Sequence, residues 1–254
     1  MNKFKVVIPA RYGSTRLLAK PLSDICGKPM VIRVVESAIK SGADEVIVAT
    51  DNLEIMNVVH QYGFKAIMTD EQHPTGTDRI AQVVELLGWH DDDIIVNVQG
   101  DEPLISPVVI KDTANNLAEH PEASIATACH IIKDNISFFS PNTVKVVMDK
   151  NGHALYFSRA TIPYPRNVTT SIGYSHVGIY AYTAKFLKQY NTLEKCELEY
   201  SESLEQLRTL YNGHKISVFV SSEQASIGVD TEDDLELVRT IFEKRAYESI
   251  HKQI

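Results

Sequence analysis

The sequence predicts an α/β fold, a Rossmann-like three-layer sandwich with a mixed, mostly parallel central sheet and an antiparallel extension. Two observations support this prediction. In the first half of the chain, short apolar runs alternate with segments of helical periodicity, which indicates βαβ units and a parallel sheet. In the second half, strand-like segments flank a Lys150-Asn151-Gly152 turn, which favours an antiparallel hairpin. We expect a single domain over residues 1–254.

The first half contains four predicted strands, at residues 4–10, 45–50, 65–68 and 93–98. The first strand carries two valines and an isoleucine, as expected for a buried central strand. Helices follow the strands in turn. They are predicted to begin at Pro29, at a capping box formed by Asp51 and Glu54, at Asp78, and at the Ser106-Pro107 pair.

The second half contains shorter elements. A hairpin is predicted from strands 143–149 and 153–158, followed by strands 176–182 and 216–220 and by a closing helix that carries Leu235 and Val238. Between the last two strands, a helix places Leu204, Leu207 and Leu210 on one side. Three polar residues of this helix lie off the apolar side, so they are either exposed residues or a polar wall facing a ligand. They are Glu205, Gln206 and Arg208.

The composition excludes several classes of protein. Hydrophobic residues make up 44% of the 254 residues, enough for a full core, and the chain has no apolar stretch near the roughly 18 residues of a membrane span. We therefore expect a cytoplasmic protein without membrane insertion. The net charge of −8 argues against a protein that coats nucleic acid. Three cysteines at unrelated spacings suggest neither a disulfide framework nor a zinc site.

A basic loop follows the first strand. Residues 1–33 contain seven basic side chains and one acidic side chain. Three of the basic residues, Arg11, Arg16 and Lys20, lie in the loop 11–20, together with small residues whose amides can approach oxygen atoms. The loop matches neither a Walker A sequence nor the dinucleotide fingerprint. Its pattern favours a bound triphosphate, although an ordinary surface loop with three basic residues fits the spacing equally well.

Two aspartates follow strands on the same side of the predicted sheet as this loop. Asp101 comes after the strand 93–98, and Asp230 comes after the strand 216–220. Ligands of open α/β sheets gather at the carboxyl ends of strands, and Mg²⁺ binds one or two carboxylates together with phosphates. The alternatives are structural: Asp101 stabilises a turn, and Asp230 or Thr231 caps the closing helix. For Asp230 the sequence alone favours the cap.

The chain resembles the CMP-Kdo synthetases, which are 3-deoxy-manno-octulosonate (Kdo) cytidylyltransferases, from Val6 to about Arg239. The short link between Arg166 and His176 is more similar to the capsule-associated form than to the lipopolysaccharide form. The resemblance rests on segments along the whole chain: IPARYGSTRL at 8–17, KPL at 20–22, GKPM at 27–30, VATD at 48–51, TGTDRI at 75–80, NVQGDEPLI at 97–105, VKVV at 144–147, ALYFSRATIPYPRN at 154–167, HVGIYAY at 176–182, SLEQLR at 203–208 and GVDT at 228–231.

This resemblance implies a fold of the nucleotide-diphospho-sugar transferase type and direct nucleotidyl transfer. The C2 hydroxyl of the sugar acid attacks the α-phosphorus of CTP with Mg²⁺ as cofactor, for lipopolysaccharide or capsule biosynthesis. A homodimer and a sugar-binding and dimerisation lobe at about 130–210 are also implied. The implicated residues are, for catalysis, Arg11, Lys20, Asp101 and Asp230; for the nucleotide, Ile8, Pro9, Ala10, Arg11, Ser14, Thr15, Lys20, Thr75, Arg79 and Gln99; for the sugar, Gln99, Arg159, His176, Tyr182, Glu205 and Gln206; and for the metal, Asp101 and Asp230.

The chain departs from the family pattern at a few positions. Where the family usually has Pro-Gly before the lysine of the basic loop, this chain has Leu18-Ala19, so it lacks the glycine that permits unusual backbone angles. Thr75 replaces a usual serine, and Thr183 stands where a basic residue is common. Kdo is the leading substrate, and an amino-Kdo or a sialic-acid-like sugar is the alternative. A non-catalytic nucleotide-binding relative is an alternative of a different class.

Overall fold

A computed structural model describes residues 2–13, 17–166, 173–223 and 226–251. Two compact units are distinguished in the chain. The N-terminal unit consists of Phe4–Gly88, Asn97–Lys111 and Ser226–Ile254. The central unit consists of Met1–Lys3, Trp89–Val96 and Asp112–Ala225. Ser14 and Thr15, which are predicted to bind the nucleotide, lie outside the described residues.

The described residues form strands and helices in alternation. The strands are β1 (Lys5–Ala10), β2 (Asp24–Ile25), β3 (Lys28–Pro29), β4 (Glu45–Thr50), β5 (Lys65–Met68), β6 (Ile94–Asn97), β7 (Ile125–Ile131), β8 (Lys145–Met148), β9 (Ala154–Ser158), β10 (Tyr174–Thr183) and β11 (Ile216–Val220). The α-helices are α1 (Met30–Lys40), α2 (Leu53–Gln61), α3 (Gly76–Leu86), α4 (Pro107–Glu119), α5 (Asn135–Phe139), α6 (Ala184–Tyr190), α7 (Glu197–Glu202), α8 (Gln206–Tyr211) and α9 (Glu232–His251). None of the helices in these ranges is both long and apolar enough to cross a membrane.

The N-terminal unit is built on parallel strands. β1 pairs with β4 along its whole length, and β4 pairs with β5 in the same direction. Val6, Val7 and Ile8 are fully buried, as expected for a parallel strand that is covered on both faces. On α1, Val34 and Ala38 are also fully buried, because its apolar residues recur on one side. The carboxyl ends of β1 and β4 therefore meet at one edge of this sheet.

The central unit combines parallel and antiparallel pairing. β7 pairs antiparallel with β10 and parallel with β11, and β8 and β9 form the predicted hairpin. Gly152 in the hairpin turn has a φ of +81°, which glycine adopts without strain. β7 was not predicted, because the alanines in this strand give only a weak strand signal. The predicted α/β class with an antiparallel extension is confirmed.

Several predicted helix starts are wrong in detail. Asn52, and not Asp51, caps α2, since its side chain accepts hydrogen bonds from two amides at the helix start. α3 begins earlier than predicted, because Thr75 and Asp78 form a capping box. Pro29 is the N-cap of α1 instead of its first residue. At these helix starts, side-chain hydrogen bonds and backbone angles decided the boundary within a helical segment that the periodicity had located.

Candidate active site

The basic loop leaves β1 at the edge of the sheet where β1 and β4 both end. Ile8 and Ala10 in β1 are buried, while Arg11 directly after it is exposed. The amide of Tyr12 donates a hydrogen bond to Asp51 Oδ1 at 3.4 Å, which links the loop to the residue after β4. Arg11 thus lies at the surface near the carboxyl ends of two parallel strands, the position where α/β folds bind ligands.

The second part of the loop contains a left-handed residue. Ala19 has φ +53° and ψ +30°, a conformation that glycine adopts readily and alanine adopts only at a cost. A 3₁₀ helix over Lys20–Leu22 begins directly after it. The chain therefore uses alanine in a left-handed turn at the position where the family pattern has glycine. This turn sets the position of the Lys20 side chain.

Lys20 connects the two aspartates that are predicted to bind metal. Its Nζ donates hydrogen bonds to Asp101 Oδ2 at 2.6 Å, to the carbonyl oxygen of Val229 at 2.7 Å and to Asp230 Oδ1 at 3.2 Å. The side chain of Lys20 is 13% exposed, whereas those of Asp101 and Asp230 are 36% and 53% exposed. We call these three side chains and the Val229 carbonyl the bridged cluster. Solvent reaches the cluster through its carboxylates.

Asp101 reaches the bridged cluster because the chain before it runs very close to β1. The amide of Val98 donates a hydrogen bond to the carbonyl oxygen of Val7 at 3.1 Å. A Cβ atom on Gly100 would lie 2.7 Å from the carbonyl oxygen of Pro9, closer than real Cβ contacts. Glycine is therefore needed for this close approach of the two backbones.

Asp230 is placed by the residue before it and the helix after it. The side chain of Val229 is buried, and its amide donates to the carbonyl oxygen of Asp101 at 2.9 Å. Thr231 and Asp234 cap α9, because the Asp234 amide donates to Thr231 Oγ1 at 3.2 Å. The cap that the sequence allows for Asp230 or Thr231 thus belongs to Thr231. Around Val229 the apolar neighbours are Ile25, Met30, Leu235 and Val238.

A further acidic side chain lies next to Asp101. Burial, together with the nearby Asp101 carboxylate, raises the pKa of Glu102 to about 7. The amide of Glu102 donates to the carbonyl oxygen of Gln99, which is half-buried in the same turn. No sequence pattern singles out Glu102, since its burial depends on packing.

Arg79, which is predicted to bind the nucleotide, lies in a buried ion pair. Its side chain is 4% exposed, its Nη2 donates to Asp51 Oδ2 at 2.7 Å, and its Nη1 donates to Thr69 Oγ1. Thr75 donates its hydroxyl proton to Asp78 Oδ2 at 2.7 Å within the capping box of α3. Asp51, which was predicted only as a helix cap, therefore joins Arg79 to the start of the basic loop.

In the central unit, Arg159 is fixed by several hydrogen bonds. Its Nε donates to the carbonyl oxygen of Glu202 at 2.8 Å, and its Nη1 donates to that of Pro141 at 3.3 Å. The Arg159 amide donates to Glu202 Oε2 at 2.8 Å. A guanidinium has five N–H groups, and these contacts use two of them. Arg159 is thus held in place, and within the described residues its side chain keeps donors for an anion.

His176 and Tyr182 belong to a row of aromatic side chains. The His176 ring lies 4.9 Å from that of Phe157 and 5.4 Å from that of Tyr180, measured between centroids. Tyr180 in turn stacks on Tyr182 at 5.9 Å. Burial lowers the pKa of His176 to about 3, so its imidazole is neutral at pH 7. His176 therefore offers hydrogen bonds and not positive charge to a ligand.

The polar residues of α8 and its N-cap are partly buried. Gln206 and Arg208 are 6% and 4% exposed, whereas Glu205 is exposed. Arg208 forms a two-pronged ion pair with Glu199, in which its Nε donates to Oε2 at 2.8 Å. Among the described residues, Gln206 Nε2 has no hydrogen-bond partner. A buried amide usually has one, so Gln206 is a candidate for contact with a bound molecule.

Comparison with known proteins agrees with this chemistry. A family model described as cytidylyltransferase matches residues 5–216, which is most of the chain. A solved structure of CMP:2-keto-3-deoxy-manno-octonic acid synthetase in complex with CTP is 43% identical, with a TM-score of 0.90 over 96% of this chain and 100% of that chain. The resemblance found in the sequence is confirmed. This protein is therefore a nucleotidyltransferase that belongs to the cytidylyltransferase family.

Proposed function

We propose that this cytidylyltransferase activates Kdo with CTP and forms CMP-Kdo and pyrophosphate. The bridged cluster carries the proposal, because Lys20 Nζ lies within 3.2 Å of oxygen atoms of both Asp101 and Asp230. The similar structure is that of a CMP:2-keto-3-deoxy-manno-octonic acid synthetase with CTP. Transfer from a triphosphate requires mainly positioning and stabilisation of charge, which a cation and two acidic groups at one place provide.

The proposed reaction is a direct displacement at the α-phosphorus of CTP. The C2 hydroxyl oxygen of the sugar acid forms a bond to this phosphorus, and its proton passes to solvent. The bond from the α-phosphorus to the bridging oxygen breaks, and pyrophosphate leaves with the electron pair. Arg11 and Lys20 bind and orient the triphosphate. The remaining proposed nucleotide contacts are Ile8, Pro9, Ala10, Ser14, Thr15, Thr75, Arg79 and Gln99.

The carboxylates of the bridged cluster fit a divalent cation. Asp101, Asp230 and the Val229 carbonyl direct oxygen atoms to a common place, next to Lys20 Nζ. Oxygen is the ligand that Mg²⁺ prefers, and its sites typically combine one or two carboxylates with phosphates. Within the described ranges, no group of three or more His, Cys, Asp or Glu side chains could hold a metal ion. We infer that Asp101 and Asp230 hold Mg²⁺, which neutralises negative charge on the phosphates when bound.

The sugar acid is proposed to bind in the central unit. The guanidinium of Arg159 provides positive charge for the carboxylate of the acid. Gln206 supplies a donor, because its buried Nε2 has no partner among the described residues. The neutral imidazole of His176 suits a sugar hydroxyl. The other proposed contacts are Gln99, Tyr182 and Glu205.

An amino-Kdo or a sialic-acid-like substrate is the alternative within the same enzyme class. The departure at Thr183 keeps this alternative open, since the family commonly has a basic residue at this position. In this chain Thr183 caps α6, and its Oγ1 accepts a hydrogen bond from the Phe186 amide at 3.2 Å. A non-catalytic relative is disfavoured, because the bridged cluster keeps Lys20 and both aspartates together.

Pyrophosphate release tests these proposals. The protein is mixed with Mg²⁺ and CTP and supplied with Kdo, an amino-Kdo or a sialic acid, with ATP, GTP and UTP in parallel reactions. We expect the highest kcat/KM for CTP with Kdo. Faster pyrophosphate release with another acid would show that this acid, and not Kdo, is the substrate. Binding of CTP without release in the presence of any of these acids would favour the non-catalytic relative.

We also propose a homodimer with a sugar-binding and dimerisation lobe at about 130–210, located in the cytoplasm. The family resemblance supports the dimer, and the central unit also exposes apolar side chains, among them Ile131, Ile136, Phe139 and Leu155. Sedimentation of the protein at micromolar concentration is expected to show twice the mass of one chain. A monomer at these concentrations would contradict the proposal.

A further inference from the structure

We propose that Glu202 is a positioning residue for the sugar acid: it fixes Arg159 to the segment that carries Glu205 and Gln206. The inference rests on the proposed binding of the sugar carboxylate by Arg159. Glu202 belongs to none of the predicted groups of site residues. Its contacts join two separate segments of the central unit.

Glu202 binds Arg159 through both its side chain and its backbone. Its Oε2 accepts a hydrogen bond from the Arg159 amide at 2.8 Å, and its carbonyl oxygen accepts one from Arg159 Nε at 2.8 Å. Its Oε1 accepts a hydrogen bond from the hydroxyl of Ser158, whose Oγ in turn accepts one from the Ala160 amide at 2.9 Å. One residue thus determines both the backbone position and the side-chain direction of Arg159.

Lys145 completes this arrangement from the other side. Its side chain is fully buried, and its Nζ donates to the carbonyl oxygens of Ser140 at 2.8 Å, Thr143 at 2.5 Å and Arg159 at 2.7 Å. Burial lowers the pKa of Lys145, and the negative charge of Glu202 opposes this shift. The two charges therefore stabilise each other, while Arg159 is bonded to both of them.

The position of Glu202 in the chain explains how it aligns Arg159 with Glu205 and Gln206. Glu202 is the last residue of α7, and Ser203 after it has a left-handed φ of +53°. Glu205 and Gln206 follow within one turn of chain. α7 is itself held to α8 by the buried ion pair of Glu199 with Arg208. Arg159 is therefore tied to a rigid corner, which lowers the entropy that it loses on binding an anion.

Substitution of Glu202 tests the inference. Glu202→Gln keeps the shape and removes the charge, and Glu202→Ala removes both. We expect Glu202→Gln to raise the KM for the sugar acid about tenfold and Glu202→Ala to raise it further, because hydrogen bonds to a charged group are weakened or lost. The KM for CTP should stay within about twofold of the wild-type value. Glu197→Gln is the matched control, since it removes a charge from an exposed position of the same helix.

Arg159→Lys provides a second background for the same measurement. If Glu202 acts through Arg159, Glu202→Gln raises the sugar-acid KM less in this background than in the wild type. If Glu202→Gln has the same sugar-acid KM as Glu197→Gln, the inference is overturned. Equal increases in the KM for CTP and in the KM for the sugar acid would also overturn it, because they indicate general damage to the protein. If Glu202→Ala does not fold, the sugar-acid KM of Glu202→Gln alone tests the inference. A wild-type protein that releases no pyrophosphate with any sugar acid would overturn the proposed function together with this inference.

Discussion

Two lysines of this protein each donate hydrogen bonds to three oxygen atoms, in very different surroundings. Lys20 contacts two carboxylates and one carbonyl, at a place where Asp101 and Asp230 are 36% and 53% exposed. Lys145 contacts three backbone carbonyls and is fully buried. Two acceptors of Lys20 are carboxylates, which can exchange the lysine for a metal ion while the lysine turns to a phosphate. The acceptors of Lys145 cannot move without a change in the fold, so this lysine stabilises structure.

The largest expected effect concerns the carboxylates beside Lys20. Asp101→Asn and Asp230→Asn should each lower turnover about a hundredfold or more while the protein stays folded, because each removes a charge from the proposed metal site. Pyrophosphate release and circular dichroism measure the two properties. Asp233→Asn in the exposed first turn of α9 is the control and should keep normal turnover. Normal activity of either site variant would show that these aspartates do not act as the metal pair.

The same substitution at the two lysines should separate their roles. Lys145→Met should lower the free energy of unfolding by about 3 kcal/mol, since buried carbonyls lose their donor and Glu202 loses a compensating charge. Lys20→Met should lower turnover strongly and change stability by less than about 1 kcal/mol, because its partners are partly exposed. Urea unfolding of both variants measures the difference. Equal destabilisation would contradict the comparison.

Acid should weaken the unit that contains Lys145 through His176. The pKa of His176 is lowered to about 3, so protons bind the unfolded chain first as the pH falls. An unfolded histidine has a pKa of about 6.5. The contribution of neutral His176 to the free energy of unfolding is therefore complete above that pH, and it decreases by about 2 kcal/mol between pH 6.5 and pH 5. His176→Gln should remove this part of the pH dependence, which urea unfolding at both pH values measures. If the free energy of unfolding changes with pH equally in the variant and in the wild type, His176 is not shielded from protons.

The smallest expected effect concerns the turn that places Lys20. Ala19→Gly should raise the free energy of unfolding by up to about 1 kcal/mol, because glycine adopts the left-handed conformation without strain. Leu18→Gly is the control, since Leu18 does not have a positive φ and gains nothing from glycine. Thermal unfolding compares the two variants. A loss of stability in Ala19→Gly would show that the methyl group of Ala19 contributes more than its backbone strain costs.

The sequence predicted elements best where an apolar run is bounded by turn residues. β4, β5 and β11 have the predicted bounds, and the hairpin lies at its predicted position. β7 was missed, because its small residues form a strand through pairing with β10 and β11. The predicted cap of α2 was wrong, because the side chain of Asp51 forms an ion pair with Arg79 and Asn52 caps the helix. A local pattern does not show which distant side chain competes for a hydrogen-bonding group.

The candidate site follows the same rule. The sequence and the family resemblance singled out Lys20, Asp101 and Asp230, and the structure brings these three together. Glu202 and Asp51 have no recognisable sequence signal as site residues, since their roles depend on contacts with Arg159 and Arg79. Roles of catalysis and binding for the predicted residues stay predictions until the variants are measured.

The sequence by itself determined the alternating strands and helices of the first half, the basic loop after β1 and the family of the protein, because these depend on residues close together in the chain. The tertiary structure decided which of these residues meet. Lys20 bonds to acidic residues 81 and 210 positions away, and α9 is capped by Thr231. Such contacts depend on how the backbone packs, as in the close approach of Gly100 to Pro9. The packing therefore decided that Asp230 joins Lys20 and does not serve as a helix cap.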